Sequence, residues 1–322
     1  MTASDTPTAT DTATDATPIA LCCSHAESAT WEAGLRSALP GRALGVWPQA
    51  TPGAVHAIVW SPTQAFLDAH PRLRLIFNMG AGVDALMRLR LPGQARIVRI
   101  EDGGMAVQMA EYVCHAVLRH VREFDRYAGS AARAAWEQRA PRSRRDFPIG
   151  VMGLGVLGGR VARALAAFGF DVAGWSQSPK AIDGVTCLAG AAQWDEFLAR
   201  TRILVCLLPL TPATENILDH ASLSRLQRGA YLINVARGAH LVEDDLLRLL
   251  DSGHLAGATL DVTRQEPAPP GHPFWHHPNI VLTPHIAAQT DIGEAIAQIT
   301  DKIRAHAEGA VPGGLVDPQR GY

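Results

Sequence analysis

At 322 residues the chain is too long for one hydrophobic core, so two domains are the default expectation. A formal charge of -2 with 47% hydrophobic residues describes an ordinary globule and argues against a nucleic-acid or membrane-surface partner. No apolar run reaches the roughly 18 residues needed to span a bilayer.

Residues 1–17, built from Thr, Ala, Asp and Pro, offer no apolar surface to offset ordering entropy and read as a disordered tail. They lack the basic start and apolar core of a signal peptide and the arginines of a transit peptide. Five scattered cysteines, Cys22, Cys23, Cys114, Cys187 and Cys206, show no paired ligand spacing and read as reduced core residues, so the expected location is the cytoplasm.

From Pro18, short apolar runs alternate with helical segments: strands over 19–23, 43–46 and 54–60, with a helix over 28–39. This is a small α/β domain. A strand over 73–77 empties into Asn78-Met79-Gly80-Ala81-Gly82-Val83-Asp84, either a plain strand-to-helix turn or one whose N–H groups hold a carboxylate. One long helix is predicted from Met105 to about Tyr127, followed by an arginine-rich surface excursion over 136–147.

The stretch from Ile149 to Trp175 is the most informative. An apolar run feeds Gly153, Gly155 and Gly158 at GxGxxG spacing, a helical pattern follows, and Phe170 to Trp175 reads as a second strand. In such a βαβ unit Gly153 permits the turn, Gly155 lets backbone approach a pyrophosphate, and Gly158 lets helix pack on strand. Val156 and Leu157 lie within the same turn. Further strands are predicted over 203–208, ending at Pro209 to Thr214, and over 230–235, ending at Val235, Ala236 and Arg237. After a helix over 243–250 come strands over 257–262, with Asp261 at its end, and over 279–282, ending at His285. Alternating strands and helices imply a parallel, doubly wound sheet, and in such sheets ligands bind beyond the carboxyl ends of the strands. Residue 286 onward reads as one amphipathic helix returning to the first domain. The expected division is 18–102 with 287–322, against 103–286.

Arg237, Glu266 and His285 have bland readings singly: a surface cation, a solvated acid, a loop histidine. Together at one sheet edge they supply what reduction of a 2-oxo acid requires. Arg offers a planar two-donor cation for the substrate carboxylate, and His can deliver a proton to the carbonyl oxygen near neutral pH. A carboxylate behind the imidazole would hold its orientation, a place Glu266 can fill. His272, His276, His277 and His285 are close in sequence, but no cysteine or carboxylate is placed to complete a zinc shell, so no metal is expected.

The motifs GLGVLG, NVARG, DVTRQEP and TPH, in this order and spacing, resemble the signature of the D-isomer-specific 2-hydroxyacid dehydrogenases. Within that family MGAGVDAL, EDGGMAVQMAEY, GWSQSPK, VEDDLLRLLDSG and the terminal RGY are similar to the glyoxylate/hydroxypyruvate reductase A group. The resemblance covers roughly residues 19–322. It implies a Rossmann-type dinucleotide-binding domain beside a smaller flavodoxin-like α/β substrate domain, a likeness that also suggests a homodimer. It implies Arg237 as clamp on the substrate, Glu266 as partner of the imidazole, and His285 as proton donor. Ala81 and Gly82 are implied to present N–H groups to the substrate from the other domain, and Trp47 and Trp275 to wall the pocket. The implied reaction is reduction of glyoxylate or hydroxypyruvate to glycolate or D-glycerate. The alternatives are a related dehydrogenase for phosphoglycerate or a bulkier oxo acid, and a non-catalytic dinucleotide sensor.

An NAD-preferring site usually places an acid about 20 residues past the glycines. Gly174 to Lys180 contains none, so Ser176, Gln177 and Lys180 are read as receiving a 2′-phosphate, with NADP(H) favoured and NAD(H) possible. The similar reductases carry Arg where Gln177 stands, which weakens the preference.

Overall fold

The computed structural model describes residues 17–24 and 27–321, so the expected disordered tail lies outside the described residues except for Thr17. The chain divides into two compact units, one running up to Gly103 and resuming at Thr290, the other spanning Gly104–Gln289.

The first unit begins with β1 (Ile19–Cys23), α1 (Ser28–Ala38), β2 (Leu44–Val46) and β3 (His56–Trp60). Next come α2 (Gln64–Ala69), β4 (Leu75–Asn78), α3 (Asp84–Met87) and β5 (Arg96–Val98). These strands form an all-parallel sheet of order β2-β1-β3-β4-β5, the flavodoxin-like order. Helices cover a parallel sheet on both faces, so its strands read as continuous apolar runs; all four residues of β4 are buried.

In the second unit α4 (Met105–Val121) and α5 (Phe124–Ala132) lead to β6 (Ile149–Met152), α6 (Val156–Ala167), β7 (Val172–Ser176) and β8 (Thr186–Ala189). Then follow α7 (Trp194–Ala199), β9 (Ile203–Cys206), α8 (His220–Leu223), β10 (Ala230–Asn234), α9 (Glu243–Asp251), β11 (Leu255–Leu260) and β12 (Ile280–Leu282). The parallel sheet runs β12-β11-β10-β9-β6-β7-β8. Two cores flank it. Val113 and Val117 of α4 pack with Val161 and Leu165 of α6 on one face, while Phe197, Leu223 and Leu246 of α7, α8 and α9 pack on the other. This is a doubly wound Rossmann-type sheet whose order reverses between β6 and β9, beside the glycine-rich turn.

The last helix, α10 (Ile292–Ala307), belongs to the first unit and packs on α1. Lys302 Nζ donates to the carbonyl of Arg99 at 2.8 Å, and residues 314–316 bond back to Ile97 and Arg99, closing the open edge of β5.

Two predicted helices are corrected. The helix expected over 105–127 breaks because Glu123 adopts φ +55°, with its carboxylate held by Arg139 at 3.0 Å and Arg142 at 2.8 Å. The arginine-rich excursion supplies the tether that stops α4 at Val121. The helix expected from residue 286 begins six residues later, capped by Asp291 Oδ1 on the amide of Glu294. The amides of Ile286 and Ala287 are bonded to the Asp261 carboxylate, and the chain stays non-helical from there to Asp291. The edge strand β8 was not read from the sequence: only Leu188 is fully buried, so no apolar run marks it.

Candidate active site

The glycine-rich turn explains its own composition. Gly153 has φ +93°, a region L side chains rarely enter. A Cβ on Gly158 would lie 1.8 Å from the carbonyl oxygen of Gly153, so helix α6 reaches β6 only because that position is bare. A Cβ on Gly155, the residue that caps α6, would meet nothing within 4 Å. That open cradle at a helix N-terminus fits a pyrophosphate, whose oxygens take backbone N–H groups at the positive end of the helix dipole. Val156 and Leu157 form the first turn of α6, with Val156 exposed.

Beyond β7 the loop is closed at its base by Gly190, whose amide bonds Ser176 and whose carbonyl accepts from Trp175 Nε1. Ser176 is buried, and its hydroxyl donates to the carbonyl of Ser178 at 2.8 Å, so this proton serves the turn itself. Gln177, Ser178 and Lys180 are exposed. After β9 the Pro209–Thr214 turn caps itself: Thr214 Oγ1 donates to the carbonyl of Pro209 and accepts the amide of Thr211.

Arg237 follows β10 by two buried residues, Val235 and Ala236. Its backbone is extended and its carbonyl accepts from Asn234 Nδ2 at 3.0 Å and bonds His240 Nδ1 at 3.0 Å, while Arg237 Nη1 donates to the carbonyl of Ala236. The next residue must be glycine, because a Cβ on Gly238 would lie 1.9 Å from the carbonyl carbon of Thr263. This contact presses the NVARG segment against the DVTRQEP segment. Asn234 and His240 were missed by the sequence reading. Their signal is polar residues three positions either side of Arg237, and both are fully buried.

Glu266 and His285 are brought together. Glu266 Oε2 lies 2.8 Å from Nδ1 of His285, and Glu266 Oε1 accepts the amide of Thr263 at 3.2 Å. Burial works to raise the Glu266 carboxyl, but the hydrogen bond and charge of His285, the Thr263 amide and the Arg237 guanidinium outweigh it and hold the group below the usual carboxylate range. The imidazole is about half exposed.

Asp261, read as a cofactor residue at the end of β11, is 1% exposed. Its carboxylate accepts the amides of Ile286 and Ala287, each at 2.8 Å, and the hydroxyl of Thr283 at 2.6 Å. As found, it organises the loop that carries His285. His272 bonds Glu243, and no group of three or more potential metal ligands occurs among the described residues.

Trp47, Ala81 and Gly82 lie in the first unit. Asn78 Nδ2 shapes the turn by donating to the carbonyls of Gly80 and Gly82, and Trp47 packs edge-on against Phe66 and His70. Trp275 is exposed, with Nε1 donating to the carbonyl of Pro269.

Comparison with known proteins identifies the family. The D-isomer specific 2-hydroxyacid dehydrogenase NAD binding domain matches residues 114–287. Glyoxylate/hydroxypyruvate reductase A of Serratia proteamaculans (strain 568) is 47% identical over 299 residues, which span 91% of this chain and 96% of that protein. The protein of the same name from Yersinia enterocolitica serotype O:8 is 45% identical over 303 residues, 92% and 97% of the two chains. Among solved structures, the NADPH-dependent glyoxylate/hydroxypyruvate reductase of Sinorhizobium meliloti, in complex with NADP and sulfate, superposes with a TM-score of 0.90 at 36% identity, covering 95% of this chain and all of that one. A D-isomer specific 2-hydroxyacid dehydrogenase of Xanthobacter autotrophicus Py2, in complex with NADPH and MES, gives 0.87 at 39% identity, covering 94% and 99%. The match to the family's dinucleotide-binding domain covers more than half of the chain and the relatives extend it across nearly all of it: the chain belongs to the D-isomer-specific 2-hydroxyacid dehydrogenases, a family of oxidoreductases.

Proposed function

We propose that the chain reduces small 2-oxo acids, glyoxylate and hydroxypyruvate, to glycolate and D-glycerate, with NADPH favoured over NADH. The observation that carries this is the Glu266–His285 pair, 2.8 Å apart in the same unit as Arg237 and the glycine-rich turn. The reduced nicotinamide supplies hydride to the carbonyl carbon when bound. Gly153, Gly155, Val156, Leu157 and Gly158 are the residues that would hold its pyrophosphate, with Ser176, Gln177 and Lys180 toward the ribose end. Pro209, Thr214, Val235, Ala236 and Asp261 complete the proposed lining at the strand ends.

Arg237 binds the substrate carboxylate with two parallel N–H donors, which aligns the carbonyl. His285 delivers a proton from Nε2 to the carbonyl oxygen as charge develops there, because Nδ1 is engaged by Glu266. Glu266 keeps the ring in that orientation and stabilises its charged form. The 45% and 47% identity to reductases named for glyoxylate and hydroxypyruvate supports this substrate class over a bulkier oxo acid.

A homodimer and a cytoplasmic location are part of the proposal. Exposed Val107, Phe124 and Trp136 are apolar surface suited to self-association, and five cysteines of which none is in a disulfide suit a reducing compartment. The deciding experiment is steady-state oxidation of NADPH or NADH by the purified protein with glyoxylate, hydroxypyruvate, pyruvate and a bulky 2-oxo acid. Efficiency greatest with either of the first two supports the reading, and no turnover with any of the four would refute it.

A further inference from the structure

We propose that Tyr112 and Thr283 are positioning residues for His285: a hydroxyl chain from Tyr112 through Thr283 to Asp261 holds the turn that carries the imidazole. The inference rests on the reading of His285 as proton donor.

His285 has φ +55°, a left-handed conformation that a residue other than glycine keeps only where its surroundings impose it. One residue imposes it from both sides. The amide of His285 donates to the carbonyl of Asp261 at 2.8 Å, and the next two amides, of Ile286 and Ala287, donate to the two oxygens of the Asp261 side chain at 2.8 Å each. Asp261 therefore holds the backbone that carries His285, while Glu266 holds the ring itself. The Asp261 carboxylate is buried, where each missing donor is costly, and its remaining side-chain donor is Thr283 Oγ1 at 2.6 Å.

The direction of the chain follows from counting protons. The carboxylate accepts only, so the hydroxyl proton of Thr283 goes to Asp261. Tyr112 Oη meets the same Thr283 oxygen at 2.5 Å, and with that proton committed Tyr112 must be the donor. Burial pushes the Tyr112 phenol up to about 12, so it remains a donor at any working pH. Tyr112 stands on α4 and Thr283 just after β12, so the chain braces the loop against a helix on the opposite face from α9. None of these groups has to touch substrate for its loss to misaim the imidazole, and misplacement alone lowers turnover without weakening binding.

The test measures kcat, KM for hydroxypyruvate and NADPH affinity by tryptophan fluorescence for Thr283→Val, Thr283→Ser, Tyr112→Phe, the Tyr112→Phe/Thr283→Val double variant and His285→Ala. Thr283→Val should lower kcat about 10-fold, with KM and NADPH affinity within about twofold. Thr283→Ser should restore kcat to within about threefold of the parent, and Tyr112→Phe should lower it about threefold. The double variant should be no slower than Thr283→Val alone, since both changes cut one chain. Parental kcat in Thr283→Val, no rescue by Ser, or a Tyr112→Phe loss that multiplies fully in the double variant would overturn the chain while His285→Ala stays inactive. Should Thr283→Val fail to fold, Tyr112→Phe removes a single oxygen, and parental kcat there is equally decisive against the chain. Parental kcat in His285→Ala would instead overturn the proton-donor reading and the chain with it.

Discussion

Glu266 joins two segments with one carboxylate: Oε2 holds Nδ1 of His285 at 2.8 Å, while Oε1 takes the amide of Thr263, two residues past Asp261. The partner of the imidazole is thus itself anchored just past the end of β11, whereas His285 follows β12.

Replacing Glu266 with Gln keeps the shape and removes the charge. Glu266→Gln should lower kcat with hydroxypyruvate by about 10-fold to 100-fold while NADPH affinity stays near parental. The carboxyl is held below its ordinary range, so its support for the charged imidazole is fully present above that range and disappears only as pH falls through the lowered folded value. The parent's acid limb assigned to Glu266 should therefore lie below the ordinary carboxylate range in a kcat profile, and the limb should vanish in the variant. A variant with unchanged kcat would remove Glu266 from the site.

His285→Ala should lower kcat by roughly 100-fold to 10,000-fold, the scale of a lost general acid, with dinucleotide affinity intact. Arg237→Lys keeps the charge but loses the two-pronged geometry, so kcat/KM for hydroxypyruvate should fall at least about 10-fold. Measured efficiency equal to the parent in the lysine variant would mean that another group holds the carboxylate.

The fold was legible because a parallel sheet buries its strands on both faces, leaving uninterrupted apolar runs such as LIF in β4 and ILVC in β9. The ends of β10, β11 and β12 could be placed at one edge from alternation alone. What was hidden depends on partners distant in sequence. The end of α4 depends on Arg139 and Arg142 reaching Glu123, and the delayed start of α10 depends on a carboxylate 25 residues upstream. Arg237, Glu266 and His285 could be named as residue types suited to the chemistry, whereas Thr283 and Tyr112 act through a hydroxyl contact between residues 171 positions apart that no spacing encodes.

Gly238 yields a stability prediction. A methyl group there would stand 1.9 Å from backbone atoms of Thr263, which cannot rotate aside. Gly238→Ala should force the Arg237 and Glu266 segments apart, costing about 1–3 kcal/mol by denaturant melts and most of the activity. A variant with the parental midpoint and kcat would show that the segments are not pressed together.

Two histidines set the acid side of stability, one in each unit: His56 is buried and His120 partly buried. Burial, then the charges of His306, Arg42 and Arg74, lowers His56 to about 4, and burial with Arg142 and Arg202 lowers His120 to about 4. Unfolded histidine titrates near 6.5, so between about pH 6.5 and 4 the unfolded chain binds protons that the fold refuses. Stability is full above that window and falls with falling pH inside it. For His56, 1% exposed, the loss by pH 4 is on the order of 3 kcal/mol. Unfolding midpoints that do not change between pH 7 and pH 5 would contradict this, and His120→Phe should flatten the slope for the second unit.

The preference between dinucleotides depends on one loop. No carboxylate occurs from Gly174 to Lys180, so nothing there repels a 2′-phosphate, and the hydroxyl proton of Ser176 is already directed at Ser178. On the proposed reading recognition falls to Lys180 and Gln177, both exposed. A single exposed cation is worth on the order of 1 kcal/mol, which predicts a ratio of kcat/KM for NADPH over NADH of about tenfold. Lys180→Glu should reverse much of that ratio through like-charge repulsion. Gln177→Arg should enlarge it, because a planar guanidinium can take two phosphate oxygens at once. Efficiency with NADH equal to or above that with NADPH in the unaltered protein would show that the phosphate is not received by this loop.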